Sequence, residues 1–109
     1  MSGNLANLAH HVYFWLKNPD SKADLAQLIA GVKTLAQIET IKGFHIAVPA
    51  ATEDRGVIDN SYAVSWLAFF DNETSEGVYQ QHPVHLQFIA NCEHLWSKVV
   101  VYDSVSNAV

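Results

Sequence analysis

Charge is scarce in this chain. Only 16% of its 109 residues are Asp, Glu, Lys or Arg, and only six are basic. Those six are scattered, so there is no clustered positive face to release counterions from a phosphate backbone, and nucleic acid is excluded as a partner. A polybasic membrane patch is excluded for the same reason. Cysteine is nearly absent. Cys92 alone leaves no internal disulfide and no cysteine-type structural zinc site. No apolar run approaches the ~20 residues of a membrane span. The start, M-S-G-N-L-A-N-L-A, has neither a basic segment nor a long apolar one, so it does not read as a secretory signal. A cytoplasmic protein is the expectation.

What is present is apolar. Half the residues are hydrophobic and the net charge is −5. Repeats and linkers are missing, which predicts one domain over 1–109 with its core in 8–103. Leu8 to Lys17, L-A-H-H-V-Y-F-W-L-K, is rich in aromatic and β-branched residues and reads as a strand. Ser21 with Asp24 resembles a capping box. From there Leu25, Leu28, Ile29, Val32, Leu35 and Ala36 follow at helical spacing, with Gly43 expected as the stop. Phe44–Val48 and Ser61–Phe70 read as two further strands, separated by a loop over 50–60. Thr74 or Ser75 is expected to cap a second helix, broken at His82-Pro83 because proline removes a backbone donor. Its second piece carries Phe88, Ile89 and Cys92. Lys98–Asp103 closes the chain as a strand.

The order β-α-β-β-α-β is an α+β, ferredoxin-like arrangement. Two helices cover one face of its sheet, yet the strands are apolar on both. The expectation is that Trp66, with Tyr13 or Trp15, lies on the uncovered face. Bare apolar surface of that size marks an interface, so the chain is expected to be a homodimer with two sheets packed face to face.

The segment Y-Q-Q-H-P-V-H, Tyr79 to His85, holds the densest polar chemistry. A neutral imidazole at His85 can take up and return a proton, and the Tyr79 hydroxyl can hydrogen-bond a carbonyl. Six residues is not a helical repeat, but the proline break allows the two to converge. His82 with Pro83 suits a helix entry, His82 as hydrogen-bonding cap and Pro83 at the first helical position. His82 and His85 alone are too few ligands for zinc. No metal and no cofactor is expected. His10 and His11 are neighbours on a strand and point to opposite faces. His11 shares its face with Tyr13 and Trp15, which makes His11 the expected pocket histidine.

With H-H-V-Y-F-W-L-K, Y-Q-Q-H-P-V-H-L-Q-F and L-W-S-K-V-V-V-Y-D in view, the chain resembles the stress-responsive dimeric α+β barrel (Dabb) family from His10 to Asp103. The resemblance implies a homodimer in which two four-stranded sheets form a barrel with the helices outside. One plant branch of the family consists of polyketide cyclases, in which a tyrosine and a histidine act together. These match Tyr79 and His85, and a first-strand pocket histidine there matches His11. A third-strand histidine of that branch has no counterpart, since Val64 stands at its position. Two functions follow as expectations. In one, a small carbonyl or aromatic metabolite binds in the barrel beside His11, Tyr13 and Trp66, with Tyr79 and His85 carrying acid–base chemistry. In the other, the chain is a non-catalytic structural or stress-related oligomer with a filled interior. A barrel-type monooxygenase ranks third.

Overall fold

Which side chains face the core is decided by strand parity. The structure, a computed structural model, describes residues 7–107. In β1 (Leu8–Leu16) burial alternates without a break: Leu8, His10, Val12, Phe14 and Leu16 are buried and the residues between them half-exposed. The third strand, β3 (Val64–Phe70), repeats the pattern with Val64, Trp66, Ala68 and Phe70 inside. Burial alternates with a period of two because the helices of the chain cover only one face of its sheet.

Between them come α1 (Lys22–Thr34), a 3-10 turn over Leu35–Gln37, and β2 (Gly43–Ala47). After β3 follow α2 (Glu73–Gln81), α3 (Pro83–Cys92), a second 3-10 turn at Glu93–Leu95, and β4 (Trp96–Val105). The sheet is antiparallel in the order β2-β3-β1-β4, the ferredoxin-like arrangement that the element order implies. The central pairing sets Val12 opposite Trp66 on one side and Val101 on the other. No helix among the described residues is long and apolar enough to cross a membrane.

Local signals explain most helix ends. The Ser21 hydroxyl accepts from the Asp24 backbone N–H at 3.1 Å, one half of a capping box. Asp24 does not complete it; its carboxylate takes the Asn18 amide at 3.4 Å. Helix α1 ends at Thr34 and tightens into the 3-10 turn, so Gly43 is not its stop but the first residue of β2. Asn72, rather than Thr74 or Ser75, caps α2 by accepting from the Ser75 N–H at 2.9 Å. Leu28 and Val32 of α1 are fully buried, and α3 lies close beside them. The approach is tight at Gly31, where an added methyl group would run into Cys92 Sγ and stand 3.3 Å from the Phe88 ring.

Trp66 is on the covered face, only 1% exposed, and so does not belong to the bare side of the sheet. The uncovered side instead carries His11, Tyr13 and Trp15 with Leu67 and Phe69, all half-exposed. Tyr13 stacks edge-on with Tyr62 at 5.0 Å and with Tyr102 at 6.2 Å.

Candidate functional site

His82 creates the site by interrupting a helix. Its backbone is extended, with φ −64° and ψ 138°, and its Nδ1 accepts from the Val84 N–H at 3.1 Å. Pro83 occupies the first helical position, where no N–H is needed. The other ring nitrogen, Nε2, lies 3.1 Å from Glu39 Oε2, in the connection between α1 and β2. His82 is thus a cap and a tether. Had α2 continued straight, residues six apart would stand ~240° around the axis and ~9 Å along it. The break brings the Tyr79 and His85 rings to 4.7 Å between centroids.

Beneath them lies His10, its ring 5.5 Å from that of Tyr79. His10 is 3% exposed and its Nδ1 donates to Asp103 Oδ1 at 2.5 Å. Asp103 faces it directly across the β1–β4 pairing. Glu76 Oε2 stands 3.9 Å from the same nitrogen, so two carboxylates flank this imidazole. Since a carboxylate can only accept, the ring must carry its proton on Nδ1.

From β3, the Trp66 indole N–H donates to the Tyr79 hydroxyl at 3.0 Å. Tyr79 is itself only 1% exposed. Burial pushes its phenol well above the ordinary tyrosine range, and the Trp66 bond offsets part of that. Tyr79 therefore stays a hydrogen-bond donor at any physiological pH. His85 moves the other way. Burial holds its imidazole below the usual histidine value, opposed by the Gln80 backbone and assisted by His10. It is 9% exposed, and its Nδ1 is buried with no hydrogen-bond partner. Near pH 7 the ring is neutral.

These polar groups sit at one end of a cavity of about 330 Å³, between the helices and the sheet. Apart from Gln80 the remaining walls are apolar: Val12, Phe14, Leu35, Phe88, Ile89 and Trp96, with Val99 and Val101 of β4 at the rim. The size is at the lower end of what small ligands use. Among the described residues, no three His, Cys, Asp or Glu side chains form a group that could hold a metal ion.

Of the residues singled out from sequence, Tyr79, His85 and Trp66 converge here. His11 and Tyr13 do not, because they project from the opposite face of β1. His10 takes the place expected of His11, and the cavity lies under the helices rather than in the lumen of a barrel. Nothing local in the sequence marks Asp103 as a partner of His10. It is 93 residues from His10, and only the strand register joins them.

A family model described as the stress responsive A/B barrel domain, Dabb, matches residues 8–106. No curated protein matches in sequence. Among solved structures, a Dabb family protein with a ferredoxin-like fold from Mesorhizobium loti superposes with a TM-score of 0.76 at 20% identity, covering 94% of this chain and 99% of that one. A hydroxynitrile lyase from Passiflora edulis gives 0.75 at 20% identity, with 95% and 96% covered. A dimeric ferredoxin-like protein of unknown function from Thermobifida fusca gives 0.74 at 20% identity, with 97% and 96% covered. At such identity the likeness establishes the fold alone.

Proposed function

Because the chain belongs to the stress responsive A/B barrel domain family, we propose that it binds a small carbonyl compound with an apolar body under its helices and moves a proton beside the carbonyl. One observation carries this: a buried, neutral His85 with an unpartnered Nδ1, 4.7 Å from a Tyr79 that is held as a donor, at the polar end of an apolar cavity. In the proposed step the His85 lone pair takes a proton from the carbon next to the carbonyl. The C–H electron pair becomes the enolate double bond, and the charge on oxygen is met by the Tyr79 O–H. Return of the proton to carbon closes the cycle without a cofactor. His10, fixed by Asp103, orients the bound molecule. A structural neighbour named as a hydroxynitrile lyase is in keeping with this, since hydroxynitriles are cyanide adducts of carbonyl compounds.

Acetophenone in D2O tests the step directly. The protein should deuterate its methyl group, measured by proton NMR, with His85→Gln abolishing exchange and Tyr79→Phe slowing it at least ~10-fold. Exchange no faster than in buffer would refute the reading in favour of a non-catalytic oligomer.

The same proposal includes a homodimer formed through the uncovered sheet face, as the dimeric neighbour from Thermobifida fusca suggests. Tyr13, Trp15, Leu67 and Phe69 would be its centre. We place the protein in the cytoplasm, where its lone buried thiol at Cys92 stays reduced.

A further inference from the structure

We propose that Trp66 is a positioning residue: its indole N–H fixes the Tyr79 hydroxyl so that the phenol proton is reserved for an oxygen acceptor on the bound molecule. The inference deepens the carbonyl-binding function and rests on it.

An indole N–H can only donate. In the 3.0 Å bond to Tyr79 the hydroxyl must therefore be the acceptor. A phenol oxygen has two favourable in-plane directions. With one taken by the indole, the O–H proton is left with the other. No described residue receives it: the Trp66 bond is the sole hydrogen bond of this hydroxyl among the described residues. Tyr79 is 1% exposed to the outer solvent and lines the cavity, so the acceptor within its reach is whatever the cavity holds. Its proton is an unspent donor in a residue that lines the cavity.

The surroundings make this arrangement costly unless something uses it. A buried donor without an acceptor is unfavourable, because it has given up its bonds to water for nothing in return. Replacing Tyr79 by Phe and Trp66 by another apolar residue of similar size would fill the same space with no polar atom to satisfy. The pair also acts in one direction. Accepting from Trp66 polarises the phenol and makes its own proton a stronger donor, while burial keeps that proton from leaving. Trp66 also lines the cavity, but its one polar atom is spent on Tyr79, so its polar influence on a bound molecule passes through the hydroxyl it holds. The ligand class that follows is one with a carbonyl or enolate oxygen, since a hydroxyl-only ligand could reorient to donate as well.

Acetophenone and α-methylstyrene, which replaces the carbonyl oxygen by a methylene group at equal size, form the test pair. Binding to the whole protein would be followed by NMR, together with the shift of a 13C label in the carbonyl. In the wild type the ketone should bind about fivefold more tightly, what one neutral hydrogen bond contributes, and its carbonyl signal should move downfield. Tyr79→Phe should remove both effects. Trp66→Phe should lower the preference to about twofold or less and return most of the shift, and the double variant should lose nothing more.

If Trp66→Phe keeps the full preference and shift while Tyr79→Phe loses them, Trp66 is only core packing and the carbonyl-binding function stands. No preference in the wild type overturns both. A measurement without any variant covers the case in which Trp66→Phe fails to fold. On saturation with acetophenone, but not with α-methylstyrene, the wild-type Trp66 indole proton should move downfield and exchange more slowly. An indole signal indifferent to the ketone overturns the inference.

Discussion

The two faces of β1 and β3 are built from similar side chains and end in different roles. Under the helices stand His10, Val12, Phe14 and Trp66; on the other side stand His11, Tyr13, Trp15 and Leu67. Each face has a histidine and large aromatics. Each also has a hollow, about 330 Å³ inside and about 390 Å³ outside, the latter framed by Tyr13, Trp15, Tyr62 and Tyr102. The difference lies in what meets the aromatic polar atoms. Inside, the Trp66 N–H meets the hydroxyl of a second buried ring, and His10 meets a carboxylate. Outside, the Trp15 N–H is satisfied by Ser61 at 3.0 Å, itself tied to Asp59, and Lys98 lies 4.5 Å over the Trp15 ring. Composition alone therefore does not mark a site. A site needs polar groups whose capacity is left over.

The largest expected contrast comes from one charge placed on each face. Trp66→Asp removes a fully buried ring, worth about 3–5 kcal/mol on the scale of Trp truncations, and leaves an unpaired carboxylate in the core. The chain should be unfolded by circular dichroism. Tyr13→Asp should keep the helical signal and abolish self-association in sedimentation. If both variants unfold alike, the two faces are not separable.

Next is the packing that covers the inner face. Gly31→Ala should cost about 1–3 kcal/mol in urea unfolding, because the new methyl group meets Cys92 and Phe88. Adding Cys92→Ala, which removes the sulfur, should restore part of it. Independent, additive losses would show that the close approach of α1 and α3 is not the cause.

The adjacent histidines give the sharpest test of parity. His10→Ala should weaken acetophenone binding roughly 10-fold, the scale of a lost charge-assisted hydrogen-bond network. His11→Ala, one residue away, should leave it within about twofold. The reverse order would move the site to the outer face.

The smallest effect is on pH dependence. Burial holds the folded pKa of His85 below its ordinary 6.5, so the unfolded chain takes up the proton more readily. Its contribution is complete above that value and is lost as pH falls below it. His10, Glu76 and Tyr79 face the ring from β1 and α2, with Asp103 beyond. The melting temperature should therefore decline from pH 7 to pH 5, and His85→Gln should reduce the decline. An unchanged slope would assign the pH dependence to the other groups.

Much of the fold is legible because its signals are local. Ser21 before an apolar stripe, Pro83 after His82 and the aromatic strands each announce themselves within a few residues. So does the convergence of Tyr79 and His85 across the proline. The choice between His10 and His11 is different. Alternation separates two faces but says which is inside only when one of them is polar, and here neither is. Trp66 lies on the covered face, against expectation, for that reason. Asp103 was invisible because its role depends on the register of two strands at opposite ends of the chain. The end of α1 also escaped, since Thr34 carries no stop residue and the helix simply tightens.

The joint at His82 places Tyr79 and His85 on separate rods. Tyr79 rides on the last turn of α2 and His85 on the first turn of α3, so helix pitch does not set the gap between phenol and imidazole. The angle at residue 82 does, and Glu39 restrains that angle from the connection between α1 and β2. The gap is thus a dimension with an external adjuster. Substitutions in the connection around Glu39, which touch nothing in the cavity, would widen or narrow it while leaving both side chains in place.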